Sequence, residues 1–169
     1  ARHGVLFKGG SHLEMRGRVD VVAFDKTGTI TPGKPVVTSV RAAGTLGEDR
    51  LLGLAGAVER HSGHHLGAAV VAEATRRGVT LPEGSDFEAH TGQGIHARAD
   101  GLWVGVGRES LFTTHDKVVP EAVAAEARQA REAGQTALIV VTDGGGPAVG
   151  GVIAVSDQPR PDAAAALAA

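Results

Sequence analysis

Cysteine is absent from this 169-residue chain, which excludes disulfides and leaves the redox compartment unmarked. Aromatic residues make up only 3%, so a core must be assembled chiefly from Val, Leu, Ile and Ala. No stretch approaches the roughly 18 consecutive apolar residues that a membrane-spanning helix needs. Charge imbalance is lacking too. The net charge of -2 carries no mark of a nucleic-acid or membrane-surface partner. What remains abundant is small and apolar: 42% hydrophobic residues and 25 glycines, enough for one packed domain or two small ones. The chain opens on Ala1-Arg2-His3-Gly4 and stops in Asp162–Ala169, a helical pattern without a C-cap. Both ends are therefore expected to be cuts in a longer protein.

One stretch organises the rest. Val19-Asp20-Val21-Val22-Ala23-Phe24 is short, β-branched and nearly unbroken in apolarity, the pattern of a strand buried on both faces of a parallel sheet. It runs into Asp25 and a turn rich in Gly and Thr. Ligands gather at the carboxyl ends of strands in open α/β sheets, so an acid there is placed for chemistry. Taken alone, Asp25 could equally cap a turn or helix.

Asp25-Lys26-Thr27-Gly28-Thr29-Ile30-Thr31 resembles the phosphorylation motif of P-type ATPases, members of the haloacid-dehalogenase-like fold. The chemistry agrees: a carboxylate can attack a phosphoryl group and divide one hard step into two easier ones. The resemblance implies that Asp25 becomes the aspartyl-phosphate, within a catalytic motif that includes Lys26. It further implies that Thr27 offers its backbone carbonyl, beside Asp25, to Mg2+, and that Thr29 helps hold the phosphate. Phosphatases of the superfamily carry a second Asp two residues after the nucleophile as general acid/base. Thr27 stands there and cannot do that work at neutral pH, which favours a pump over a soluble phosphatase, the alternative reading.

Along the chain, Pro32-Gly33-Lys34-Pro35 breaks regular structure and reads as a hinge. Val36–Arg41 is expected as a strand. Apolar positions at helical spacing predict helices from Glu48 to Val58 and from Leu66 to Arg77, the second stopped by Gly78. Pro82–Ser85 reads as a turn, followed by strands at Phe87–His90, Ile95–Ala99 and Leu102–Val106. A brief helix at Arg108–Phe112, a longer one at Pro120–Ala133, and strands at Ala137–Val141 and Val149–Val155 complete the pattern. A further short helix is expected over Ser11–Arg16.

His61, His64 and His65 lie at i, i+3, i+4 spacing and suggest either a metal site or histidines facing solvent at a helix start. A third reading comes from resemblance. Heavy-metal P-type ATPases carry a Glu and, five residues later, the His of a Ser-x-His-Pro signature in their nucleotide-binding domain. Glu59 and Ser62-Gly63-His64 match that spacing, with His65 where the family has Pro. The resemblance assigns adenine contact to Glu59 and His64, with His65 as the alternative. It assigns close backbone approach to the nucleotide to Gly92, Gly94 and Gly107. Arg108, in place of the family's Asn, could reach a phosphate.

The fold class expected is α/β: a nucleotide-binding domain of antiparallel sheet flanked by helices, inserted into a truncated haloacid-dehalogenase-like (Rossmann-like) phosphorylation domain. The boundaries are 1–32 for the first part of the phosphorylation domain, 33–150 for the nucleotide-binding domain and 151–169 for the start of the return, with hinges at Pro32–Pro35 and Gly150–Gly151. By the same resemblance, ATP and Mg2+ are the cofactors. The partners are the remaining phosphorylation, actuator and transmembrane domains of one membrane protein that exports a heavy metal, with this piece monomeric on the cytoplasmic face. Val5–Glu14 leans toward zinc, cadmium or cobalt over copper. The family's later Thr-Gly-Asp, its phosphate-binding Lys and its Gly-Asp-Gly-x-Asn-Asp acids are missing from the sequence, so the piece is expected to bind ATP weakly without turning it over.

Overall fold

A computed structural model describes residues 9–10, 14, 18–143 and 148–168. The helix expected over Ser11–Arg16 and most of Val5–Glu14 lie outside the described residues. The centre of the molecule is a six-stranded antiparallel sheet in the order β1-β6-β5-β4-β3-β2. Its strands are β1 (Val36–Ala43), β2 (Gly84–His90), β3 (Gly94–Ala99), β4 (Leu102–Gly107), β5 (Thr136–Thr142) and β6 (Val149–Ser156). Helices α1 (Glu48–Glu59) and α2 (His65–Arg77) pack on one face, and α3 (Glu109–Thr114) and α4 (Glu121–Glu132) on the other. A short α5 spans Ala163–Ala168.

The two-residue period of a strand sorts the side chains. Leu138 and Val140 of β5, with Ile153 and Val155 of β6, face α1 and join Leu51, Leu54 and Val58. Ala137, Ile139, Val141 and Val152 face the opposite way, onto Phe112, Val123 and Ala127. Both faces are covered, so β5 reads as an unbroken apolar run even though every neighbour is antiparallel. Helix α2 ends where Gly78 turns left-handed at φ 68°, the αL cap that the sequence signalled.

Three expectations change. Val19–Asp25 forms no strand; Val21 is 83% exposed. A strand exists only by pairing, and all six strands of the sheet come from residues 36–156. Strand β2 starts at Gly84, inside the segment read as a turn. Gly150 and Gly151, read as a hinge, are buried inside β6, paired with both β1 and β5. A Cβ at Gly151 would lie 2.1 Å from the Arg41 carbonyl. The sheet unit therefore continues to Ser156.

The chain enters and leaves that unit at one place, because Val36 and Ser156 are cross-strand partners. Just outside them, Asp157 ties the two segments. Its carboxylate accepts hydrogen bonds from the Thr31 hydroxyl, from the Gly33 N–H at 3.1 Å and from the Lys34 N–H at 3.2 Å. Arg160 adds two more, Nε to the Thr29 carbonyl at 3.0 Å and its N–H to the Ile30 carbonyl at 2.9 Å.

Candidate functional site

Glu59 is the last residue of α1 and only 7% exposed. Burial pushes its carboxyl above the ordinary carboxylate range, and the Ser62 hydroxyl partly opposes that. Its Oε2 is buried without a hydrogen-bond partner, a costly arrangement unless something completes it. Gly67 makes room for it: a Cβ there would stand 2.3 Å from that oxygen and 2.4 Å from Ser62 Oγ. Sequence reasoning passed over Gly67, although a glycine inside a helix costs about 1 kcal/mol against alanine and so signals a spatial need.

Glu59 opens onto a groove of about 730 Å³ that His64, Gly92, Gly94, Gly107 and Arg108 also line. His64 sits before the first turn of α2, its Nδ1 accepting the Leu66 N–H at 3.2 Å. His65 stacks on His64 with ring centroids 4.3 Å apart but lines a different, smaller cavity. His61 lies against the Phe87 ring, centroids 4.1 Å apart. The three histidines do not converge as metal ligands, because Gly63 at φ 64° breaks the helix their spacing requires. Gly94 and Gly107 face each other across β3 and β4. A Cβ on Gly94 would meet the Val106 carbonyl oxygen at 2.2 Å, and one on Gly107 the Gln93 carbonyl oxygen at 2.2 Å. These two glycines are thus required by strand packing itself, besides floor space in the groove.

Residues Lys26–Ile30 make one coiled turn, closed by the Thr31 N–H on the Lys26 carbonyl at 3.0 Å. Lys26 and Thr27 line the smaller cavity, about 210 Å³, with His65, Ser156 and Asp157. Leu66 and Thr136 border both hollows, so the two adjoin. Asp25 and Thr29 are exposed and line neither. Three described imidazoles do meet, those of His90, which also lines the larger groove, His96 and His115, with His96 on the opposite side of β3 from the α1 core.

The family model of the haloacid dehalogenase-like hydrolases matches residues 19–169, and the chain belongs to that family. Within it, the similarity is to heavy-metal P-type ATPases. A copper-transporting P-type ATPase of Rhizobium leguminosarum bv. viciae is 41% identical over 169 residues, all of this chain and 20% of that protein. The probable copper-exporting P-type ATPase V of Mycobacterium tuberculosis is 43% identical over 164 residues, 97% of this chain and 21% of that protein. Among solved structures, a zinc-transporting PIB-type ATPase in its E2.Pi state superposes with a TM-score of 0.82 at 39% identity, covering 99% of this chain and 26% of that one. The chain spans about a fifth of the length of the curated relatives it matches. No helix among the described residues is long and apolar enough to cross a membrane.

Proposed function

We propose that this chain is the nucleotide-binding unit and flanking phosphorylation loop of a heavy-metal P-type ATPase, and that Glu59 and His64 hold adenine while Asp25 accepts the γ-phosphate. The observation that carries this reading is that Glu59, whose buried Oε2 lacks a hydrogen-bond partner, lines one groove together with His64. An exocyclic amino group of adenine is a donor of the kind that oxygen lacks. His64, not His65, shares the groove with Glu59. Arg108, which makes no salt bridge among the described residues, borders the same groove and suits a phosphate.

A nucleotide in the larger hollow would have its phosphates directed past Leu66 and Thr136 toward Lys26 and Thr27. An Asp25 carboxylate oxygen would then bond to the γ-phosphorus as the bond to the bridging oxygen breaks and ADP leaves. Asp25 and the Thr27 carbonyl give a Mg2+ ion too few oxygens, and no described group of three potential ligand side chains includes Asp25. The described residues do not build that site. The nucleotide-binding unit in this reading runs from Gly33 to Ser156, with necks at Pro32–Pro35 and Asp157–Pro161. It works on the cytoplasmic face of a membrane protein, alongside that protein's other domains.

Calorimetric titration with ATP tests the assignment. Glu59→Gln keeps the volume and removes the carboxylate acceptor, and is expected to weaken binding at least ~10-fold, about 1.4 kcal/mol. It should also raise thermal stability at neutral pH. A carboxyl held above its unfolded-state value makes the fold bind more protons than the unfolded chain, so stability falls as pH rises through that window and the penalty is full above it. An unchanged ATP affinity in Glu59→Gln would refute the adenine assignment.

A further inference from the structure

Three imidazoles from separate parts of the chain converge at the rim of the groove, which His90 also lines. His90 ends β2, His96 lies on β3 and His115 follows α3, and one ring nitrogen from each lies within 4.8 Å of the others. His90 Nε2 and His115 Nε2 stand 3.1 Å apart. Glu88 completes the set from the strand position opposite His96: its Oε1 is 3.4 Å from His90 Nε2 and its Oε2 3.7 Å from His96 Nε2.

The arrangement is poorly satisfied as it stands. His96 Nδ1 is buried without a partner, and burial, then the neighbouring His115, holds that ring's pKa below its ordinary value. Lys117, which lies over the Trp103 ring, is already engaged by Asp143 at 3.0 Å. Imidazole nitrogens at about 2.0–2.1 Å from a tetrahedral ion lie about 3.3 Å from one another. The His90–His115 separation of 3.1 Å is close to that value, and all three nitrogens lie within 4.8 Å of one another.

We propose that His90, His96 and His115, with Glu88, form a binding site for a divalent first-row transition ion. Three imidazoles and one carboxylate suit Zn2+ or Cu2+, and disfavour Mg2+ and Ca2+, which take oxygen. The site uses none of Asp25, Glu59 or His64, and meets the groove through His90. A bound ion would tie the edge strand β2 and its neighbour β3 to the end of α3.

The chain carries its own reporter. Trp103 is its single tryptophan, with ring centroids 5.5 Å from His96 and 5.9 Å from His115. Zinc chloride is titrated into metal-free protein at pH 7.5, followed by calorimetry and Trp103 fluorescence, with melting curves in EDTA and in zinc. One saturable equivalent that shifts the fluorescence and raises Tm is expected. His90→Gln and His115→Gln, both at partly exposed positions, should weaken it at least ~10-fold while melting normally in EDTA. The combined His61→Ala, His64→Ala, His65→Ala variant should bind zinc as the parent does, and millimolar Mg2+ should not compete. Absence of saturable binding overturns the proposal. So does binding that survives both glutamine variants, or that disappears in the triple alanine variant.

Discussion

Val19–Phe24 and Ala137–Val141 are near twins in composition and opposites in fate. The second is buried on both faces, with Ile139, Val140 and Val141 wholly inaccessible. The first lies open, with Val19, Val21, Val22 and Phe24 all at least half exposed. The difference is supplied by neighbours. β5 has β4 on one side and β6 on the other, so its apolar run is paired and covered. No strand of the described residues flanks Val19–Phe24. Apolarity states a demand for cover, and the rest of the fold decides whether it is met.

The largest measurable contrast should be in amide exchange. Val140 is expected to exchange only through global opening, and Val21 nearly as in a free peptide, a protection difference of about 10⁴ or more. Equal rates at the two sites would break the comparison. Next in size is Gly94→Val, which drives a side chain into the Val106 carbonyl and should lower Tm by about 10 °C or fail to fold. The same substitution at Gly28, where nothing lies within 4 Å but φ is +84°, should cost much less. A third test sets the two histidines against each other: His64→Ala should weaken ATP binding ~10-fold, and His65→Ala should leave it near the parent value. The reverse result would move the adenine contact by one residue.

Asp157→Ala sharpens the boundary between the two regions. Loss of its three hydrogen bonds should make residues 19–31 cleave faster under limited proteolysis while the melting of the sheet unit moves little. The smallest effect concerns Glu73, whose carboxyl is held at about 2 by hydrogen bonds from Arg76, desolvation opposing, and then by Arg77. Its folded-state pKa is depressed, so the stability it contributes is present above its ordinary 4.5 and lost as pH falls toward 2. Glu73→Gln should flatten the acid limb of the stability curve and shift Tm by no more than about 2 °C at pH 7.

Much of the sheet unit was legible because its signals are local. The periodic apolar positions of α1 and α2, the Gly78 stop and the runs at β5 and β6 each sit within a dozen residues. The groove was legible through motif spacing, which set Glu59 five residues before His64. What escaped was long-range. Gly150-Gly151 looks like a hinge in one dimension; only the approach of Arg41 and Val140 backbone on either side shows why no larger residue fits. His90, His96 and His115 belong to three elements, and His115 reaches the other two only after β4 and α3 have turned the chain back. A faint trace existed in Glu88 and His90, which alternate onto one face of a strand, as His96 does on its neighbour.

The knot at Asp157 also says how such a unit can be carried. Two adjacent strands, joined side by side at their base, form a stem about one strand-spacing wide. A body mounted on so narrow a stem can be spliced into another fold without prying it apart. It can also lean as a whole without its own sheet being disturbed. Any swing must pass through the few bonds that Asp157 and Arg160 make, so those two side chains set how stiffly the body stands on its base.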